Sequence, residues 1–327
     1  MDDGILILNK PQNWTSHDCV AVCRRVLRLK GVKKIGHGGT LDPMAEGLLP
    51  VFIGQATRIM EYMDLEDKTY FCRARLGLTT DTQDIWGTVQ TRDGFDGIRE
   101  EDIRTALASF QGIIQQIPPV FSAVRIDGKH LYEYARKGRD VEKEIRPRKA
   151  FIRRLDVEEV DLAEGRVAFS VQCSRGTYVR TICHDLGKKL GCGAVMESLR
   201  RTAVGELDLS RSISPEEVKT AEEQDLESLL LPVDLPLKRL GEAYLSRDRA
   251  DWFSRGNSTR WRRVDVKARP AVEEDPLTGK IPLNARGRRY DRLYRVYEEG
   301  TGLFLGIGYE DREEELLKAD KVFVPKR

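Results

Sequence analysis

The chain carries no recognisable metal-binding pattern. Its four histidines (His17, His37, His130, His184) show no spacing such as H-x-x-x-H, and its six cysteines include no C-x-x-C pair, so neither a zinc site nor a redox dithiol is written into it. Four of the cysteines fall within apolar-periodic segments, where a free thiol behaves as a small core residue, and a reducing compartment is expected. No apolar run approaches the roughly 18 residues needed to span a bilayer. The opening Met-Asp-Asp lacks the basic and apolar regions of a signal peptide, so a soluble cytoplasmic protein is the expectation. No internal repeat or low-complexity tract occurs, and no Gly-Lys-Ser/Thr ending is present to turn a glycine-rich loop into a triphosphate site. Net charge is nearly absent as well. A formal charge of +2 on 327 residues excludes a uniformly basic surface as the means of binding a polyanion.

Charge is nevertheless abundant, at 33% of residues, and it is segregated. Residues 24–34 hold six basic groups and no acid, residues 124–154 eleven against five, and residues 255–295 twelve against five. One such run is ordinarily a solvated face, but three in a near-neutral chain point to nucleic acid. A chain of 327 residues has room for one large domain with a small appendage and buries a core without disulfide or metal staples.

Ile5–Leu8 reads as a strand ended by Asn-Lys-Pro, followed by a helix capped at Thr15/Ser16 whose apolar face is Val20, Cys23, Val26 and Leu27. Three acids open a second helix from about Glu100 to Phe110, with its exit at Gly112. Val167, Phe169, Val171 and Cys173 alternate with smaller or polar residues, as a half-buried strand requires. The turn Ser174-Arg175-Gly176-Thr177 then leads into a helix from Val179 marked by Ile182, Cys183, Leu186 and Leu190. Strands and helices without regular βαβ repetition indicate an α+β fold. Beyond about residue 240, Leu293–Tyr297 and Leu303–Tyr309 flank Glu-Glu-Gly-Thr-Gly, a hairpin signal that implies a small β-rich C-terminal domain. Residues 255–292, rich in Arg, Pro and Gly, read as a flexible loop or an RNA-facing insert.

The most informative stretch runs from Gly36 to Leu49, GHGGTLDPMAEGLL. Gly36, Gly38 and Gly39 allow the backbone positive φ or close approach to a ligand, and Pro43 pushes Asp42 into an extended conformation. The outcome is a fixed carboxylate on a loop; taken alone, an aspartate there is more readily the cap of a following helix. The stretch resembles the catalytic motif of TruB-type pseudouridine synthases, G-H-x-G-T-L-D-P-x-A-x-G-L-L, at every fixed position. Further segments similar to that family follow in order: Leu8-Asn9-Lys10-Pro11, Lys68-x-Tyr70, Leu76-Gly77, Thr80-Asp81-Thr82 and Gln116-Ile117-Pro118-Pro119. After them come Gly128-Lys129-x-Leu131-Tyr132-Glu133 with Ala135-Arg136, then Gly176-Thr177-Tyr178-x-Arg180, and Leu199-Arg200-Arg201-Thr202. Two positions depart from the pattern: Asn13 stands where the family usually has glycine, and Phe121 where it usually has tyrosine.

The resemblance implies a catalytic domain over residues 1–240 built on a mixed, largely antiparallel sheet, with an RNA-clamping insertion at about 124–150. It also implies a PUA-like accessory domain over residues 241–327. The implied reaction isomerises uridine 55 in the T loop of tRNA, breaking the C1′–N1 bond, turning the uracil and joining C1′ to C5. An aspartic acid in its ordinary range, about 3.9, is ionised at neutral pH, so Asp42 needs no auxiliary base, whether it attacks C1′ or abstracts a ribose proton. Arg180 would hold the two Asp42 oxygens in a bidentate pair. Tyr70 would stack on the target base and serve C5 deprotonation, while Tyr178 and Leu199 would wall the pocket for the extruded uracil. His37 would fill the gap that the flipped base leaves, and Lys10 would be a further substrate contact. In the insertion, Lys129, His130, Tyr132, Arg136, Lys137 and Arg139 would contact phosphates and stack on bases. The expected partner is the T arm of tRNA, with no guide RNA, no membrane, no cofactor and no metal, and the protein is expected to be a monomer. The competing readings are an RNA-guided rRNA synthase, a tRNA chaperone on the same fold, and a glycosidase using Asp42 with Glu46.

Overall fold

In the computed structural model, which describes residues 3–29, 31–122, 124–135 and 144–323, apolar residues build two large sheets, beside which stand two small two-stranded ones. The larger sheet has the spatial order Ser212–Ile213, Gly4–Lys10, Glu46–Ile53, Ala194–Val204, Lys68–Leu76, Arg166–Cys173, Arg148–Asp161, Gly112–Gln116. Two neighbouring pairs are parallel, Gly4–Lys10 with Ser212–Ile213 and Glu46–Ile53 with Ala194–Val204, and the other pairs along this order are antiparallel. The fold is thus α+β with a mixed, largely antiparallel sheet.

Near the start of the chain both faces of this sheet are covered, which is why Gly4–Leu8 is buried at every position instead of alternating. Leu6, Leu8, Leu49 and Val51 face one way, against Cys19, Val20, Cys23 and Leu27 of the helix Ser16–Leu29. Ile5, Ile7, Leu48 and Phe52 face the other way, towards the 3-10 segment Gly54–Leu65 and the C-terminal sheet. Further along, the helices Glu100–Ala108 and Val179–Leu190 lay Ile103, Leu107, Ile182, Cys183 and Leu186 onto Cys72, Phe169 and Met196. All six cysteines are buried and free.

The second sheet has the order Thr259–Arg260, Leu316–Val322, Phe304–Asp311, Leu293–Glu298, Gly241–Leu245, Asp265–Ala268. The hairpin expected at 293–309 forms, and the acid-opened helix stops at Ala108, two residues short of Phe110. Residues 255–292 are mostly turns and irregular backbone, packed onto the domain. They contribute two short strands, and much of their basic charge is folded onto acids: Arg286 and Arg288 on the buried Asp320, Arg289 on Asp291, Arg269 on Glu310. Asp320 also accepts the Tyr62 hydroxyl at 2.7 Å, tying the two sheets together across a core shared by Ile5, Phe52, Leu293 and Phe323.

Candidate active site

The Asp42 loop crosses from the strand Ile35–His37 to its antiparallel partner Glu46–Ile53. Asp42 is flanked by buried anchors, Leu41 on one side and Met44 and Ala45 on the other, so burial of the neighbours fixes where the carboxylate emerges. Ser16, buried at the start of its helix, accepts the Leu41 amide at 2.9 Å and donates to the Leu41 carbonyl. The Asn13 amide donates to the Pro43 carbonyl at 2.9 Å, and Asn13 has a φ of 66°, a left-handed conformation that asparagine tolerates. The turn where the family prefers glycine is therefore kept. Gly47 is required outright: its φ is 100°, and a Cβ there would fall 2.3 Å from the Arg201 carbonyl.

Arg180, on the helix Val179–Leu190 and almost fully buried, places Nη2 at 3.0 Å from Asp42 Oδ2. The expected bidentate pair does not form. The other half of the fork is taken by Thr82, whose carbonyl accepts from Nη1 at 3.1 Å, and by Asp84 Oδ2 at 3.5 Å, while Phe121 accepts from Nη2 through its carbonyl at 3.0 Å. One guanidinium thus bridges an exposed-edge carboxylate and a buried one. Burial pushes the Asp84 carboxyl up, against the opposing effects of the Thr82 hydroxyl and Arg180. Phe121 contributes a backbone oxygen, for which its missing hydroxyl is irrelevant.

Asp42, Arg180, Tyr70, Tyr178 and Leu199 line one cavity of about 110 Å³. That is well below the roughly 300 Å³ at which drug-sized pockets begin, and it suits one flat ring. Tyr70 and Leu199 sit on adjacent strands with both side chains nearly buried, and burial pushes the Tyr70 phenol up, while Arg201 acts in the opposite direction. Tyr178 precedes the Val179–Leu190 helix. Its backbone is clamped by the buried Gln116, which accepts from the Tyr178 amide and donates to its carbonyl, both at 3.0 Å. The Tyr178 ring packs beside Val124, Leu131 and Tyr134, so the base of the basic segment touches the pocket wall.

His37 ends a strand instead of lying within the loop. It is half-buried, its ring edge-on to that of His17 with the centroids 5.8 Å apart, and burial lowers its pKa, which favours the neutral ring. Lys10 departs from the expectation of a substrate contact. It is fully buried, and its ammonium donates to the carbonyls of Pro11, Pro43 and Ala45, so it fastens the loop from below. Burial lowers its pKa to about 8. Lys129 is exposed on a short strand, with the ring of the neighbouring His130 stacked on Tyr132. Arg136, Lys137 and Arg139 lie outside the described residues. No group of three or more potential metal ligands and no helix long and apolar enough to cross a membrane occurs among the described residues. Sequence reasoning alone misses Asp84, Gln116 and Arg201, although each stands in or next to one of the motifs named above.

The profile of the TruB family pseudouridylate synthase N-terminal domain matches residues 24–179, and that of the tRNA pseudouridylate synthase B C-terminal domain matches residues 180–238. The tRNA pseudouridine synthase B of Clostridioides difficile (strain 630) is 35% identical over 323 residues, covering 98% of this chain and 99% of that protein. The same-named protein of Geobacter sulfurreducens is 42% identical over 255 residues, covering 78% of this chain and 82% of its own length. Among solved structures, a chain of an H/ACA RNP bound to a substrate RNA containing 2′-deoxyuridine superposes with a TM-score of 0.69 at 22% identity, over 99% of this chain and 86% of that one. A chain of the archaeal box H/ACA sRNP Nop10–Cbf5 complex gives 0.68 at 21%, over the same shares. These two likenesses are of fold.

Proposed function

The chain belongs to the TruB family of pseudouridylate synthases, and from that premise we propose that it isomerises uridine 55 in the T loop of tRNA with Asp42 as the essential carboxylate. It is a tRNA pseudouridine synthase, as its relatives are named. The observation that carries the assignment of Asp42 is its ion pair with the buried Arg180, 3.0 Å long, at a cavity sized for a single ring and walled by Tyr70, Tyr178 and Leu199. A uridine reaches such a cavity only by leaving the stack, and His37 is the neighbour suited to the space it vacates.

Arg180 supplies the counter-charge for Asp42 where a substrate excludes water. The carboxylate either attacks C1′, displacing uracil at N1, or removes a ribose proton so that the C1′–N1 bond breaks. In the first route C5 then displaces the Asp42 carboxylate from C1′, and in the second C1′ bonds to C5 as Asp42 returns the ribose proton; in both, the Tyr70 oxygen, as phenolate, takes the C5 proton and N1 takes up a proton, so product and substrate have the same composition. Lys129 and Arg136, in the insertion at about 124–150, hold the T arm through phosphates, and residues 241–327 act as an accessory RNA-binding domain. The chain works as a cytoplasmic monomer without guide RNA.

The test is release of the C5 hydrogen from unmodified tRNA transcript labelled at uracil C5, with no other protein or RNA added. One equivalent is expected per tRNA, and none when uridine 55 is replaced by cytidine. Release that needs a guide RNA, or that persists after the replacement, defeats the proposal.

A further inference from the structure

Arg201 is the largest fully buried side chain among the described residues. Taking a guanidinium out of water costs several kcal/mol unless its donors are matched, and an apolar residue of similar volume would fill the same space more cheaply. Arg201 has no carboxylate within ion-pair distance among the described residues. What it has instead is a set of contacts at the reaction's two working groups. Nε donates to the Leu48 carbonyl at 2.7 Å and Nη2 to the Gly39 carbonyl at 2.9 Å, which are the two shoulders of the Asp42 loop. Gly39 has a φ of 77°, and a Cβ there would meet Nη1 at 3.2 Å, so the loop lies directly on the guanidinium. Nη1 itself is buried without a hydrogen-bond partner.

The register explains why one side chain reaches both groups. Arg201 is the cross-strand partner of Tyr70 on one side and of Gly47 on the other. Directly opposed residues of adjacent antiparallel strands project to the same face, about 5 Å apart, so Arg201 stands alongside the Tyr70 ring. Three groups on three elements bear on that phenol: Arg201 from its partner strand, Cys173 from the strand on the other side, and Asp42 from the loop. Arg201 alone favours the ionised phenolate; burial, which is the largest effect, Cys173 and Asp42 oppose it.

We propose that Arg201 is a positioning residue for the isomerisation: one buried guanidinium that holds both shoulders of the Asp42 loop and faces the Tyr70 hydroxyl, keeping carboxylate and phenol in a common register. This rests on the reading of Tyr70 as the group that takes the C5 proton. Arg201 contributes a geometric part, through the loop carbonyls, and an electrostatic part, through the phenol.

Single-turnover rates at saturating tRNA, from about pH 6 to about pH 9, separate the parts when Arg201→Met and Arg201→Lys are made with Tyr70 intact and with Tyr70→Phe. Arg201→Met should slow the step by on the order of 100-fold, as a misplaced catalytic group does, and move its rising limb to higher pH. Arg201→Lys should restore the position of that limb more than the rate, because it keeps the charge and loses the fork. In the Tyr70→Phe background the pH displacement should vanish and the geometric loss remain. Should Arg201→Met fail to fold, Arg201→Lys decides: a native melting transition with a slowed step supports the role. Native rates in the variants, or equal losses in both backgrounds with an unmoved limb, overturn it. If Tyr70→Phe alone keeps the full rate, the Tyr70 assignment falls; if it slows while the Arg201 variants do not, only this inference falls.

Discussion

The Asp42 loop and the described residues 124–135 at the head of the basic segment are both short, yet the hydrogen bonds that hold them differ in reach. The loop is held from far away in sequence: Ser16 grips Leu41 across 25 residues, Lys10 grips Ala45 across 35, and Arg201 grips Leu48 and Gly39 across 153 and 162. At the head of the basic segment, in the described residues 124–135, side-chain hydrogen bonds are short in sequence range. Arg125 donates to His130 five residues on, the His130 amide to Glu133, and the Tyr134 hydroxyl to the Ile126 carbonyl eight residues back. Long-range buried bonds define a position relative to the whole sheet, which chemistry at one carbon atom requires; local bonds define a shape that carries charge, which is sufficient for phosphates. The two regions meet where Tyr178 packs on Leu131 and Tyr134.

The largest expected effect tests the first half of that contrast. Asp42→Asn keeps the loop's anchors and removes the negative charge, so single-turnover pseudouridine formation should fall by at least about 10³-fold while the dissociation constant for tRNA stays within about threefold. Substantial turnover by this variant would remove Asp42 from the reaction. Neutralising Lys129, Arg136, Lys137 and Arg139 together tests the second half. Binding should weaken and its salt dependence flatten, by about 0.7 to 0.9 in slope for each phosphate that is no longer neutralised, while the rate at saturating tRNA falls less than about tenfold. Unchanged affinity and slope would leave the segment an ordinary solvated face.

A smaller effect sharpens the picture of the loop's support. Lys10 has a folded pKa lowered by burial to about 8 from its ordinary 10.5. Between these values the unfolded chain holds the proton more tightly than the native one, so the stability cost of the buried ammonium is full below about pH 8 and is relieved as pH rises towards 10.5. The unfolding free energy of the native chain should therefore gain on that of Lys10→Met across this window. A pH-independent difference between the two would mean that Lys10 titrates normally.

Much of the molecule is legible in its sequence. The strand at Ile5–Leu8, the strand–turn–helix around Ser174–Thr177 and the C-terminal hairpin follow from apolar period and turn residues, which act within a few positions of one another. Asp42 stands out through the resemblance of the whole loop to the family's catalytic motif, since glycine, proline and a carboxylate by themselves also fit a capped turn. Arg180 reads from sequence as a bidentate partner, whereas in the fold it divides its donors among Asp42, Asp84, Thr82 and Phe121. Lys10 is a substrate contact only by what the resemblance implies, and in the fold it lies beneath the loop. The arginines of 255–292 read as available charge, and the fold pairs several of them with acids that sequence distance conceals.

The sequence by itself determined the class of elements, the place of the candidate carboxylate and the family, because each depends on residue types at short, fixed spacing. Tertiary structure decided which cations serve the carboxylate, which serve the loop and which merely neutralise neighbouring acids. A positive charge has the same letter whether it is hydrated or buried, and only strand register and packing settle whether its donors meet water, a carbonyl or a carboxylate.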